Sequence, residues 1–308
     1  MSVSVNIEEV TKSFGEVVAL NAISLQISPG ELFGFIGPDG SGKTTLFRIL
    51  TSLMLPDSGK ATVDGLDVVK DYKKIRRMTG YMPGRFSLYG DLSVEENMEF
   101  YASIFHTSLK ENYDLVKDIY SHIEPFKKRK ASALSGGMKQ KLALSCALIH
   151  RPKILLLDEP TTGVDAVSRK EFWELLKKMQ QNGITILVST PYMDEASLCD
   201  QVALMQNGNL LATNKPEQLI SEYKGRLYEV QTNKMQALVD DLRKMNKAGM
   251  IYRFGEFVHV TDETAYGNFE NKLEEFLVKT GHGSILIREI RPVIEDSFLA
   301  LMDKEQNR

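Results

Sequence analysis

Eight residues, Gly37-Pro38-Asp39-Gly40-Ser41-Gly42-Lys43-Thr44, match the spacing G-x-x-x-x-G-K-[ST], which is built to hold phosphate. ATP brings a dense cluster of negative charge. Without a Cβ, Gly37, Gly40 and Gly42 let the backbone bend until its N–H groups meet phosphate oxygens. The apolar run Leu32-Phe33-Gly34-Phe35-Ile36 predicts a strand ahead of the loop. Leu46, Ile49 and Leu50 predict a helix that starts near Lys43. Its free N–H groups and positive dipole end then face the anion. Lys43 is expected to reach the β- and γ-phosphates, and Thr44 to ligate Mg²⁺. Thr45 is expected to bond a further phosphate oxygen, while Pro38, Asp39 and Ser41 complete the cradle.

A second group of residues suits the chemistry of a bound triphosphate. The continuous apolar run Ile154 to Leu157 reads as a strand buried on both faces of a parallel sheet, and it ends in Asp158 and Glu159. Ligands of such sheets bind beyond the carboxyl ends of the strands. There Asp158 can hold Mg²⁺ through water, and Glu159 can polarise an attacking water as general base. A third group, Ser135-Gly136-Gly137, opens a helix that continues through Leu142, Leu144, Ala147 and Leu148. A serine and two glycines at a helix start make a second anion site.

The motif Leu134-Ser135-Gly136-Gly137, between the phosphate loop and the Asp158-Glu159 strand, supplies a reason for two anion sites in one chain. Residues 1 to about 220 resemble an ABC transporter ATP-binding subunit of the ABC-2-type, multidrug-exporter-like kind. The resemblance implies head-to-tail pairing of two such domains, each signature covering the γ-phosphate held by the other. It also implies that Phe14 stacks on adenine, where a core aromatic is the plainer reading. Thr161-Thr162-Gly163-Val164-Asp165 resembles the loop that crosses the dimer interface. Asp165 also reads as a simple cap for the helix carrying Phe172, Leu175, Leu176 and Met179. Two positions depart from the family. Its glutamine near the attacking water corresponds to Gly84, and its histidine near the γ-phosphate corresponds to Pro191. Neither residue offers a titratable side chain, so slow hydrolysis is an expectation, with Thr190 or Tyr192 as stand-ins for the histidine.

The remaining chain sets the frame. Its 308 residues exceed one average domain, and 26% charged residues with a net charge of −3 give no electrostatic footprint for nucleic acid. Lys127-Lys128-Arg129-Lys130 reads as a solvated turn. Cys146 and Cys199 have neither metal-like nor disulfide-like spacing, in keeping with a reducing cytosol. Met1-Ser2-Val3-Ser4 lacks the features of a signal peptide. No run approaches about 18 apolar residues, so a membrane path is expected from another chain.

Residues 1 to 31 are expected to form short strands with turns. A mostly helical insert, about 85–150, begins with the capping box Ser93/Glu96. By the resemblance, this insert touches a membrane partner, with Phe86, Leu88, Tyr89 and Leu92 as candidates. From 221 to 308 the pattern β-α-β-β-α-β and a final helix after Pro292 predict a small ferredoxin-like domain. His259 and His282 in it read as satisfied or surface residues.

The fold expected is thus α/β: a P-loop NTPase domain of ABC type (1–220) with a helical subdomain, plus an α+β accessory or regulatory domain (221–308). The function expected is ATP binding and hydrolysis, with ATP and Mg²⁺ bound. A homodimer or paired ATPase subunit would power a separate integral-membrane permease, exporting drugs or lipids, from the cytoplasmic face of the cell membrane. Two alternatives are an ATP-binding switch with little hydrolysis and a ribosome- or DNA-associated ATPase. One ATPase domain, the acidic balance and the lack of a long heptad run oppose the latter.

Overall fold

The computed structural model describes residues 3–84, 88–245, 248–262 and 267–306. Arg85 and Phe86, the latter a candidate for the partner contact, lie outside the described residues. The chain divides into two compact units, Met1–Pro216 and Glu217–Arg308.

In chain order the first unit runs β1 (Val5–Phe14), β2 (Val17–Ile27), β3 (Leu32–Ile36), α1 (Lys43–Leu50), β4 (Ser58–Val63), β5 (Leu66–Asp67), α2 (Tyr72–Met78) and β6 (Thr79–Met82). It continues with α3 (Val94–Ile104), α4 (Tyr113–Tyr120), α5 (Gly136–Leu148), β7 (Ile154–Asp158), α6 (Ala166–Gln181), β8 (Thr185–Thr190), β9 (Gln201–Gln206) and β10 (Asn209–Asn214). The strands form one sheet of order β2-β1-β4-β5 and another of order β10-β9-β3-β8-β7-β6. In the second sheet β9, β3, β8, β7 and β6 pair in parallel. Every residue of β3, β7 and β8 is buried, which is why β3, Ile154–Leu157 of β7 and Ile186–Val188 of β8 read as continuous apolar runs rather than alternations.

Helix α1 packs its apolar side into the core. Leu46, Phe47, Ile49 and Leu50 share one buried cluster with Phe33, Phe35 and Leu156 of the parallel sheet and with Ile7, Val10, Leu20 and Ile23 of the antiparallel one. Phe35 and Phe47 meet edge to face, with centroids 5.4 Å apart. This packing fixes the start of α1, and therefore the phosphate loop, against the end of β3.

One expectation about the first unit is corrected. β1 and β2 are long strands of 10 and 11 residues rather than short strands with turns. Glu9 and Ala22 are sites of positive φ (51° and 48°) near register shifts, where the strands bulge without reversing.

The helical part, α3 to α5, starts from a capping box in which Ser93 accepts from the Glu96 amide and Glu96 accepts from the Ser93 amide. Asn97, fully buried, closes the preceding turn through the backbone of Tyr89, Leu92 and Ser93. Leu88 is buried, Leu92 half-buried and Tyr89 exposed.

A short helix, α7 (Pro216–Ser221), carries the chain across the division. The second unit runs β11 (Arg226–Gln231), α8 (Met235–Leu242), β12 (Ala248–Phe254), β13 (Phe257–Asp262), α9 (Phe269–Lys279), β14 (Leu286–Ile290) and α10 (Ile294–Gln306). Its antiparallel sheet has the order β12-β13-β11-β14, so the first strand lies between the third and the fourth, as in a split β-α-β-β-α-β fold. Tyr228, Val230, Val258 and Val260 pack under Leu238, Leu242, Leu273 and Leu277 of α8 and α9. The opposite face meets α10: His259 Nδ1 lies 2.8 Å from Asp296, and the Tyr252 hydroxyl donates to Asp303 at 3.0 Å. His282 is satisfied by Thr232 (2.9 Å) and Asp241 (3.1 Å).

Candidate nucleotide-binding site

The strand order explains the site. β8 lies between β3 and β7, so the phosphate loop leaving β3 and the carboxylates leaving β7 open onto the same edge. The Gly37 amide donates to the Thr190 carbonyl at the end of β8 (3.3 Å), and Asp158 is level with Ser189 across the β7–β8 pair. A cleft of about 230 Å³ at this edge is lined by Phe14, Ala19, Gly40, Ser41, Gly42, Lys43, Thr44, Thr45 and Glu159.

Glycine is required at two points of the loop. A Cβ on Gly37 would fall 2.1 Å from the Met205 carbonyl oxygen. On Gly42, whose φ is 104°, it would fall 2.3 Å from the Ala19 carbonyl oxygen. Gly42 is also the N-cap of α1, which has no side-chain cap and no acidic residue in its first turn. The first N–H groups of α1 thus face the loop without competition from a carboxylate. Lys43 is 3% exposed, and its ammonium donates to the Gly37 carbonyl (2.7 Å), the Pro38 carbonyl (2.9 Å) and Ser41 Oγ (3.4 Å). Burial pushes its pKa below the usual lysine value, opposed by the charges of Glu159, Asp39 and Asp158.

Asp158 is 2% exposed, and its Oδ1 accepts from Ser189 Oγ (2.6 Å) and Thr44 Oγ1 (3.1 Å). Hydroxyl and carboxylate oxygens side by side are hard donors of the kind Mg²⁺ takes. Among the described residues there is no group of three or more His, Cys, Asp or Glu placed for a metal. Mg²⁺ on a nucleotide needs none, since phosphates and water fill its shell. Glu159 adopts a φ of 48°, and its amide donates to both the carbonyl and the Oγ of Ser189, each at 3.0 Å. Partial burial raises its carboxyl above the ordinary glutamate range, with Lys43 pulling the other way.

The two departures from the family pattern sit at the same edge. A Cβ on Gly84 would lie 3.1 Å from the Asp158 carbonyl oxygen and 3.6 Å from Glu159 Cβ, so the glycine stands against the backbone that carries the two carboxylates. Beyond β8, neither proposed stand-in for a histidine is free. The Thr190 hydroxyl is fully buried, donates to Glu195 (2.6 Å) and accepts from the Tyr192 amide. The Tyr192 ring lies under Arg169, 4.7 Å from the guanidinium carbon to the ring centroid.

Ser135, Gly136, Gly137 and Asp165 are not among the residues lining the cleft. Ser135 caps α5 through the Met138 amide, and Asp165 caps α6 through the Ser168 amide, which holds its carboxyl below the usual range. Gly137 is packed so closely on α6 that a Cβ would meet Ser168 Oγ at 2.6 Å. The structure thus brings Phe14, residues 40–45 of the loop and Glu159 together around the cleft, with Asp158 bonded to Thr44, and Gly37 and Pro38 bonded to Lys43, just behind it, and places the signature elsewhere, on the start of α6. Sequence reasoning missed Ser189, which links the two carboxylate positions. Its level with Asp158 comes from the β7–β8 register, which no local sequence signal carries.

A glycine loop opening a helix at the edge of a parallel sheet, facing an Asp–Glu pair, defines a P-loop nucleoside triphosphatase. A family profile described as "ABC transporter" matches residues 20–162. Nod factor export ATP-binding protein I of Rhizobium sp. (strain N33) is 32% identical over 310 residues, 99% of each chain. The probable multidrug ABC transporter ATP-binding protein YbhF of Escherichia coli (strain K12) is 40% identical over 222 residues, 69% of this chain. The chain spans only 37% of that relative's length.

Among solved structures, cbiO1 from Clostridium perfringens, part of the ABC transporter complex cbiONQ, aligns with a TM-score of 0.64 at 29% identity, over 72% of this chain and 92% of that one. The ATP-binding cassette MJ0796, in a dimeric post-hydrolysis state bound to ADP and Pi, aligns with a TM-score of 0.62 at 29% identity, over 68% and 98%. The chain belongs to the family of ABC transporter ATP-binding proteins and carries that family's ATPase cassette.

Proposed function

We propose that this chain is the ATP-hydrolysing subunit of an exporter of drugs or lipids, paired head to tail with a second copy or a related ATPase subunit. One observation carries the reading: Lys43, Thr44 and Glu159 line one cleft, with Asp158 bonded to Thr44 behind it, while Ser135, Gly136 and Gly137 are not among its lining residues and Gly137 packs against Ser168. A signature that does not serve its own loop is suited to cover the nucleotide of a partner. In this reading the loop amides and Lys43 hold the β- and γ-phosphates, Thr44 and Asp158 hold Mg²⁺, and Phe14 stacks on the base. The metal neutralises phosphate charge. Glu159 takes a proton from the attacking water, and its raised pKa suits that role.

Among the described residues no helix is long and apolar enough to cross a membrane, so the transport path is assigned to a separate permease and this subunit to the cytoplasmic face of the membrane. A groove of about 160 Å³ between the sheet edge and the helical part, lined by Leu53, Arg76, Tyr81, Leu88, Tyr101, Phe105 and His150 among others, supports a docking place there. The export lean rests on the names of the YbhF and Nod factor relatives.

A second reading, an ATP-driven switch that scarcely hydrolyses, is favoured by Gly84 against the Asp158–Glu159 backbone, where it offers no side chain, and by Pro191. Mg²⁺-ATP turnover by the chain, alone and with its permease, measured beside Glu159→Gln, separates the two. Turnover lost in the variant supports the motor. Equal near-zero rates in both settings, with ATP bound, support the switch.

A further inference from the structure

We infer that Glu195 is a positioning residue for ATP hydrolysis: its buried carboxylate ties the chain leaving β7 to the chain leaving β8 and so holds Glu159 at the cleft. The inference rests on the ATPase reading above.

Glu195 lies in the short helical turn Met193–Leu198 that follows β8, and it is 2% exposed. One oxygen, Oε2, accepts from two hydroxyls, Thr161 Oγ1 at 3.1 Å and Thr190 Oγ1 at 2.6 Å. The other, Oε1, has no hydrogen bond and faces Arg169 Nε at 3.8 Å. Arg169 is held in turn by Asp194 at 2.9 Å and by the Tyr192 ring. Withdrawing a carboxylate from water is costly unless its partners repay the loss. A buried glutamate between two loops therefore needs a reason to be there, and its partners supply one.

Thr161 is two residues beyond Glu159, and Thr190 is next to Ser189. Ser189 accepts the Glu159 amide twice and donates to Asp158. Glu159 itself has a left-handed φ of 48°, a conformation a residue with a Cβ adopts only when its surroundings impose it. Ser189 imposes it from one side. On the other side Thr162 closes the turn, its amide donating to the Glu159 carbonyl (3.3 Å) and its hydroxyl to the Glu159 carboxylate (3.5 Å), and the side-chain anchor of that turn is Thr161, held by Glu195. Glu195 is not among the residues lining the cleft, so its action passes through Thr161 and Thr190. With Gly84 and Pro191 contributing no side-chain contact to the attacking water, the placement of Glu159 carries more of the rate.

The test compares kcat and KM for Mg²⁺-ATP in the full chain, with its permease where the chain alone is silent, for wild type, Glu195→Gln, Thr161→Val and Thr161→Ser. Displacing a catalytic group by about 1 Å can cost ~10²-fold in rate, so kcat per bound nucleotide is expected to fall about tenfold or more in Glu195→Gln. KM should move less than about twofold, because the phosphate loop is untouched. Thr161→Val is expected to fall in the same way and Thr161→Ser to restore the rate. The double variant Glu195→Gln/Thr161→Val should be no slower than the slower single.

An unchanged kcat in folded Glu195→Gln overturns the inference, as does a rise in KM alone or a Thr161→Ser as slow as Thr161→Val. If Glu195→Gln fails to fold, the Thr161 pair, which leaves the carboxylate in place, decides. A wild type that binds ATP but never hydrolyses it, even with its permease, overturns the ATPase reading and this inference with it. Active wild type with unaffected variants overturns this inference alone.

Discussion

Substituting Gly84→Gln is expected to accelerate hydrolysis. The added Cβ falls 3.1 Å from the Asp158 carbonyl oxygen and 3.6 Å from Glu159 Cβ. The first contact is tight, and the backbone must yield by a few tenths of an ångström. Gly84 is not among the glycines of positive φ, so its backbone accepts an L side chain. Mild overpacking costs about 1 kcal/mol. Stiffening the unfolded chain returns about 0.4–1 kcal/mol, so the fold should survive. The amide then hangs beside Asp158 and Glu159, where it can orient the attacking water. A preorganised polar group at a transition state is worth roughly 2.7–4 kcal/mol when fully rigid. A glutamine on a loop realises part of that, so the expected gain is about tenfold in kcat, or ~1.4 kcal/mol. Gly84→Ala supplies the control, since it adds the same Cβ without the amide. The assay is phosphate release at saturating Mg²⁺-ATP, with nucleotide occupancy measured in parallel and Gly84→Gln/Glu159→Gln as the blank. Equal rates for Gly84→Gln and Gly84→Ala at equal occupancy would refute the reasoning.

Gly37→Ala places a Cβ 2.1 Å from the Met205 carbonyl oxygen, a backbone atom that cannot swing away. Calorimetric titration is expected to show ATP affinity lower by more than about tenfold, since the loop must move off the phosphates. Phe14 is 49% exposed at the cleft wall, with the Lys12 ammonium 5.7 Å from its ring centroid, and offers a base an aromatic platform. Phe14→Ala should weaken ATP about three- to tenfold, the worth of one aromatic stack, and leave pyrophosphate binding unchanged. The raised pKa of Glu159 in the free chain sets the acid limb of kcat/KM, the parameter that reports the free enzyme. The base works deprotonated, so rate is present above a midpoint higher than the ordinary glutamate value of about 4.3 and is lost below it. A pH profile whose acid limb lies at the ordinary value contradicts that assignment. The same shift has a stability sign: a folded pKa above the unfolded one favours folding at low pH, and that contribution is lost as pH rises through the folded value. Glu159→Gln is therefore expected to melt higher than wild type at neutral pH without nucleotide.

Local rules made part of this molecule legible. The glycine spacing at 37–44 and the buried run 154–157 announce themselves because loop curvature and two-sided burial act on consecutive residues. What they cannot announce is adjacency. Ser189 and Glu195 read as an ordinary strand end and an acidic turn until the order β3-β8-β7 sets Ser189 level with Asp158. Phe105 and His150 stack with centroids 3.7 Å apart although 45 positions separate them, and no periodicity encodes that meeting. The bulges in β1 and β2 escaped for a related reason. A polar pair such as Glu8-Glu9 signals a break in alternation, and only pairing with the neighbouring strand decides between a bulge and a turn.

Gly84 and Pro191 remove two side chains from the transition state, yet among the described residues the bonds that hold Lys43, Asp158 and Glu159 run through neither. Lys43 is anchored by Gly37, Pro38 and Ser41, Asp158 by Ser189 and Thr44, and the Glu159 backbone by Ser189. Loss of a sensor therefore lowers the rate without dismantling the site. A pure binding switch makes a different demand. It gains nothing from a carboxylate at position 159, which is partly desolvated and bent to a φ of 48° where glycine would rest without strain. A strained, pKa-raised glutamate placed beside the phosphate loop is a cost that only proton transfer recovers. That asymmetry favours a slow motor over a switch.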